Sequence, residues 1–241
     1  MKRKLSLMLF LVAAVLSAEA RNYIVCIGIA DYPGTNSDLQ LSSRDAATIK
    51  NVYEKNGDAM TDILMDSEAT VENIKVTMDK LFSRATQNDA VILFFSGHGV
   101  PGGFVCFDGL LKYEAITRVM MGCSARRKMV FADACFAGKV RNTSKRTQGP
   151  SQTEVLFFLS SRTNEKSLEK RGWKNSLFTA YLERGLRGGA DTNRDRSITA
   201  IELFDFVSKG VAKDSSQKQH PVMWGNFDNN MSIMSWNASK K

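Results

Sequence analysis

Apolar and polar positions follow two different rhythms along this chain, and the rhythms take turns. "NYIVCIGIADY" (22–32), "DAVILFFSGHG" (89–99), "KMVFAD" (128–133) and "EVLFFLS" (154–160) are near-continuous apolar runs, the pattern of strands buried on both faces. Between them, apolar residues recur at three- and four-residue steps. Ala46, Ile49, Val52 and Tyr53 mark a helix over 42–55, and Val71, Ile74, Met78 and Leu81 mark another over 70–84. Helices are also expected at 113–121, 176–184 and 200–213, with a weaker strand near 62–65. "GGFVCF" (102–107) reads as a hairpin arm and "HPVMWG" (220–225) as a short last strand. This alternation predicts one α/β domain, a three-layer sandwich with a mainly parallel central sheet flanked by helices.

The first twenty residues stand outside that pattern. Met1 to Lys4 is basic, Leu5 to Leu16 is apolar apart from Ser6, and Ala18-Glu19-Ala20 is a small-x-small cleavage pattern. The apolar run falls short of the roughly 20 residues that cross a bilayer. Residues 1–20 are therefore expected to be a signal peptide and 21–241 the mature domain, exported to a periplasmic or secreted location. No later segment is apolar enough to span a membrane.

The chain carries a formal charge of +8, and loses only part of it with the leader. Its Lys and Arg are dispersed, which argues against nucleic acid as a partner. Export raises the possibility of disulfides among Cys26, Cys106, Cys123 and Cys135. A chain this long builds a core without cross-links, however, and Cys26 and Cys106 lie inside apolar runs.

Chemistry in parallel sheets gathers at the carboxyl ends of the strands. Two strands here end in unusual polar residues, Ser96-Gly97-His98-Gly99 and Asp133-Ala134-Cys135. A cysteine in such a place is equally readable as a small buried hydrophobe or as a nucleophile. A thiol with a pKa near 8.5 needs a neighbour that favours the thiolate, and an imidazole can supply that and then protonate a leaving amine. If the two strands are neighbours, His98 and Cys135 converge on one edge.

"FFSGHG" and "VFADACFAG" together resemble the caspase-like cysteine peptidases, and the metacaspase branch in particular. "VCIGIADY", "RDA" (44–46), "FFLSSRTNEKSLE", "SLFTAYLERGLRG" and the Gln219–Pro221 triplet extend the resemblance over nearly the whole mature chain. It implies a caspase-like fold and a cysteine endopeptidase in which Cys135 attacks the scissile carbonyl and His98 acts as acid and base. The backbone N–H groups of Gly99 and Cys135 would form the oxyanion hole. Asp45, Ser96 and Asp133 would line the pocket for the residue before the cut. Two carboxylates and a hydroxyl suit Arg or Lys, so the expected partners are proteins or peptides with basic residues. No cofactor is required for this chemistry.

Two further segments carry expectations. "KVRNTSKRTQGPSQ" lacks hydrophobic periodicity and reads as a loop, with Arg141, Lys145 and Arg146 as self-cleavage points for an enzyme of this specificity. "DTNRDRSITAIE" (191–202) has the ligand spacing of an EF-hand calcium loop, with Asp191, Asn193, Asp195, Ser197 and Glu202 as side-chain donors. Arg196 stands where the sharp turn normally needs glycine, so Ca²⁺ competes there with a simple arrangement of turns before a helix. Other readings of the chain are a non-catalytic caspase-like binding or scaffold module, and a calcium-dependent interaction protein.

Overall fold

The computed structural model describes residues 20–34, 36–56, 58–134, 155–162, 165, 167–169 and 172–236. In chain order the strands are β1 (Asn22–Gly28), β2 (Ala59–Met65), β3 (Ala90–Gly97), β4 (Gly99–Val100), β5 (Gly103–Val105), β6 (Leu110–Lys112), β7 (Arg127–Ala134), β8 (Val155–Leu159), β9 (Ser197–Thr199), β10 (Val222–Trp224) and β11 (Ser232–Ser235). The helices are α1 (Ser42–Asn56), α2 (Val71–Phe82), α3 (Tyr113–Met121), α4 (Leu177–Arg184) and α5 (Ala200–Asp214). Six strands form one sheet in the order β10-β8-β7-β3-β1-β2, parallel except that β10 runs antiparallel to β8. The three-layer α/β expectation holds.

The continuous apolar strands are explained by two cores. Val25 and Ile27 of β1, Leu93 and Phe95 of β3, and Val130 of β7 face α2 and α3, where Ile74, Met78, Ile116 and Met120 meet them. Their chain neighbours Ile24, Cys26, Ile92, Phe94 and Phe131 face the other way, onto Ile49 and Val52 of α1, Phe178 of α4, and Leu203 and Val207 of α5. Both faces of the central strands are thus removed from water, each large side chain contributing roughly 1.5–3 kcal/mol.

Local chemistry sets the ends. Thr70 caps α2 by accepting from the Asn73 N–H, and Thr199 with Glu202 forms a reciprocal capping box at α5. Gly28 ends β1 where a Cβ would come within 2.5 Å of the Ser42 carbonyl oxygen and 2.8 Å of Ala46 Cβ. Only glycine lets α1 start that close to the sheet, and this seats the first turn of α1 beside the strand ends. Cys26 and Cys106 are buried free thiols and Cys123 is a half-buried one. Among the described residues, no helix is long and apolar enough to cross a membrane.

Candidate active site

β3 and β7 are adjacent and parallel, with Ser96 opposite Asp133 and Gly97 opposite Ala134. The strand that leads into His98 and the strand that leads into position 135 therefore end side by side. Cys135 itself lies outside the described residues. The residue before it is well anchored: the Ser160 hydroxyl accepts from the Ala134 N–H at 3.1 Å and donates to the Ala134 carbonyl at 3.0 Å.

His98 is held from two directions. The segment between β1 and α1 folds back on itself through Leu39 N to the Ala30 carbonyl at 2.8 Å and Tyr32 N to Asp38 at 3.1 Å. Asp66 pins its start, accepting from the N–H groups of Ala30 and Asp31 at 2.8 and 3.0 Å. This fold places the Ser37 carbonyl oxygen 2.6 Å from His98 Nε2. A carbonyl only accepts, so Nε2 carries the proton and Nδ1 is the basic nitrogen of the neutral ring.

The second hold comes from Tyr32. Its hydroxyl accepts from the His98 backbone N–H at 2.8 Å and donates to the Val105 carbonyl at 3.0 Å, and its ring lies 4.7 Å from the imidazole. A Cβ on Gly97 would sit 2.6 Å from that hydroxyl, so the motif's first glycine makes room for the tyrosine. Burial pushes the Tyr32 hydroxyl up, keeping it a donor at any ordinary pH. The other histidine, His220, is paired with Glu165 at 2.9 Å.

Beside His98 lies a pocket of about 40 Å³, lined by Ser96, Gly97, Asp133, Ser167, Glu169 and Ser176 among others. Asp45, from the first turn of α1, stands behind this wall, fully buried. Its Oδ2 accepts from the Ser96 hydroxyl at 3.0 Å and from the Ser176 hydroxyl. Its Oδ1 accepts from Asn175 Nδ2 at 2.9 Å and the Ser176 N–H at 3.1 Å. Asp133 accepts from the Ser167 hydroxyl and from the N–H and hydroxyl of Thr179, at 3.1 and 2.7 Å. Glu169 closes the rim, accepting from the N–H groups of Gln40 and Leu41 at 3.2 Å each.

Of the three residues expected to line the specificity pocket, Ser96 and Asp133 border it, while Asp45 is buried behind them and reaches it only through its bonds to Ser96 and Ser176. Burial, and then the charge of Asp133, push the Asp45 carboxyl up to about 7 despite its hydrogen bonds from Ser176 and Asn175. Burial also raises Asp133, opposed by Ser167 and Thr179 and reinforced by the charge of Glu169. Two desolvated carboxyl groups close enough to feel one another's charge favour a cation that arrives beside them.

A model of the caspase domain matches residues 21–231. The chain belongs to the caspase-domain family. Two solved structures agree with that assignment at the level of the fold. Protein GSU0716 from Geobacter sulfurreducens is 16% identical, with a TM-score of 0.67 over 90% of this chain and 98% of that one. Caspase-1 from Spodoptera frugiperda is 15% identical, with a TM-score of 0.66 over 92% of each chain. No curated protein matches the sequence.

Within this caspase domain several contributors to the site were not expected from the sequence. Ser167, Glu169 and Asn175 come from the stretch between β8 and α4, which carries no periodic signal, and Ser176 and Thr179 come from the N-cap and first turn of α4. The block "FFLSSRTNEKSLE" running into that stretch carries only a family likeness. Buried Gln219 of the Gln219–Pro221 triplet steadies that stretch, donating to the Ser160 carbonyl at 2.9 Å and the Ser167 hydroxyl at 3.2 Å, and accepting from Leu168 N at 3.0 Å. Gly99 opens β4 directly after His98.

The acidic loop at 191–202 lies on the α4–α5 side. Arg196 does take the left-handed conformation that its loop position demands, at φ 68°. Asp191 accepts from the N–H groups of Asp195 and Arg196, and Asp195 from that of Ser197. Glu202 faces Thr199 and Thr192. Among the described residues no three His, Cys, Asp or Glu side chains converge as a metal site. As folded, the loop's donors serve its own backbone and the cap of α5. Arg141, Lys145 and Arg146 lie outside the described residues, as do residues 1–19.

Proposed function

We propose that this caspase-domain protein is an exported cysteine endopeptidase of metacaspase type that cuts after Arg or Lys. The observation that carries the reading is the pocket beside His98, with Ser96, Asp133 and Glu169 in its walls and Asp45 directly behind them, bonded to Ser96 and Ser176. A guanidinium entering that pocket meets the Asp133 carboxylate, already stripped of water, which strengthens a charge-assisted bond.

The chemistry follows from where the protons sit. With Nε2 donating to the Ser37 carbonyl, Nδ1 takes the proton of the Cys135 thiol. The thiolate adds to the scissile carbonyl, and the oxyanion is held by the N–H groups of Gly99 and Cys135. His98 then protonates the departing amine, leaving a thioester on Cys135. Water, deprotonated by His98, hydrolyses the thioester and releases the new carboxylate.

Export is supported at the other end of the chain. Cleavage after Ala20 turns the Arg21 nitrogen into an ammonium, and that nitrogen already lies 2.8 Å from an Asp89 carboxylate oxygen. The mature terminus thus has its counter-charge in place. Self-cleavage at Arg141, Lys145 or Arg146 and Ca²⁺ binding at 191–202 belong to the same proposal. Mass analysis against a Cys135→Ala variant tests the first, and calorimetric titration the second.

The deciding experiment is labelling. An arginine-based covalent inhibitor should modify Cys135 in the mature protein, and an arginine reporter peptide should be cut at least about a thousandfold faster than by Cys135→Ala. A protein that is neither labelled nor active, yet binds peptides, is the non-catalytic module instead.

A further inference from the structure

A second pocket, of about 520 Å³, opens on the other flank of His98. The two pockets share only His98 among their walls. This second one is built by Tyr32 and Pro33 from the segment after β1, and by Val100, Val105 and Phe107 from the β4–β6 hairpin region. Its size falls in the range of pockets that hold a ligand group. The contrast in lining is sharp: no Asp, Glu, Lys or Arg side chain borders it, whereas carboxylates crowd the first.

Resting on the peptidase reading above, we propose that this pocket receives the side chain of the residue just after the scissile bond, and that it selects a branched aliphatic or aromatic one. The placement follows from the proton path. His98 protonates the leaving amine, so that nitrogen comes within hydrogen-bond reach of the imidazole. The basic side chain before the cut occupies the acidic pocket on one flank. The chain beyond the nitrogen then continues past the imidazole to the opposite flank, where the apolar walls stand. An apolar side chain there gives up water against Val100, Val105 and Phe107, while an acidic one loses hydration with no Lys or Arg side chain to replace it. The rigidity of the wall supports selection. The Tyr32 hydroxyl ties Val105 to His98, so the pocket and the imidazole are built as one unit.

The test uses mature protein and quenched peptides that keep Arg before the cut and vary only the next residue. Leu or Phe should give kcat/KM about tenfold above Gly, with Asp lower still. Val100→Glu should lose that preference and favour Lys instead. A second arm works without catalysis: in Cys135→Ala, Leu-Ala amide at millimolar concentration should shift the NMR signals of Gly99 and Gly109, and Asp-Ala amide should not. Benzamidine should shift those of Glu169 and Ser176. Equal rates for Leu, Gly and Asp, or no shift at Gly99 and Gly109 with Leu-Ala amide, overturn the proposal. If no arginine peptide is cut and benzamidine shifts nothing, the basic-specificity reading fails. Leu-Ala shifts at Gly99 and Gly109 then still uphold the apolar pocket.

Discussion

The chain places acidic side chains in two regions with opposite architecture. Around the pocket beside His98, Asp45 and Asp133 are buried, and their donors come from distant segments: β3, the stretch before α4, and α4 itself. In the 191–202 loop, Asp191 and Asp195 are satisfied by N–H groups two to five residues away. The loop's carboxylates find these donors through local chain geometry and stay near water, while its end at Ser197–Thr199 is tied to β11. The pocket forms only when the whole sheet and three other segments are in place, and it pays in desolvation for charge that folding does not need. Carboxylates held at such cost mark the site where a basic side chain is expected to arrive, while those of the loop already serve their own turn.

The widest separation between the two regions should appear on removing charge. Asp133→Ala should lower kcat/KM for arginine peptides by about a hundredfold or more, since buried ion pairs lose several kcal/mol when one partner goes. Asp191→Asn with Asp195→Asn should leave it within about threefold. A comparable loss from the loop pair would break the contrast.

Next in size is the effect of pH. Because Asp45 is raised to about 7, it is neutral below that pH and ionised above it. A cation prefers the ionised form, so benzamidine should bind Cys135→Ala about tenfold more tightly at pH 8 than at pH 6. In the empty protein the sign reverses. A carboxyl whose folded pKa is raised stabilises the fold below its unfolded value, near 4, and that contribution is lost as pH rises through 7. Denaturant midpoints should therefore fall from this group between pH 4 and 7. Asp45→Asn should flatten both profiles while weakening arginine-peptide cleavage; an unchanged binding profile in that variant would assign the titration elsewhere.

Tyr32→Phe comes third. It strands the His98 N–H, at a cost of about 1–3 kcal/mol. Its mark should be a lower kcat with little change in KM, measured on one arginine peptide; a change confined to KM would place Tyr32 in binding instead. The smallest effect belongs to the loop. Thr199→Ala removes one half of the capping box, about 1 kcal/mol, and should lower Tm by about 2–4 °C with activity intact.

The central strands were legible because burial on both faces leaves long apolar runs, and the neighbouring placement of β3 and β7 then brings the two polar strand ends together. Asp45, Ser96 and Asp133 were legible only through family likeness, since nothing in a helix's first turn announces that it will face a strand end far along the chain. The donors at 167–175 were not legible, because an irregular stretch acquires its geometry from what it packs against, and the helix expected at 176–184 gave no sign that Ser176 and Thr179 would meet Asp45 and Asp133. β9 and β11 escaped for a related reason, being three- and four-residue strands whose pairing spans a long gap in sequence. The orienting partner of His98 left no trace at all, because it is a main-chain carbonyl.

That last feature has an evolutionary side. A side chain that steers a catalytic histidine is exposed to every codon change at its position, but every amino acid brings the same carbonyl to position 37. The vulnerable points are displaced to the loop's anchors, above all Asp66, which sits in another part of the chain and touches neither histidine nor substrate. Lineages that lose activity by drift should carry their lesions there as readily as at the reacting residues.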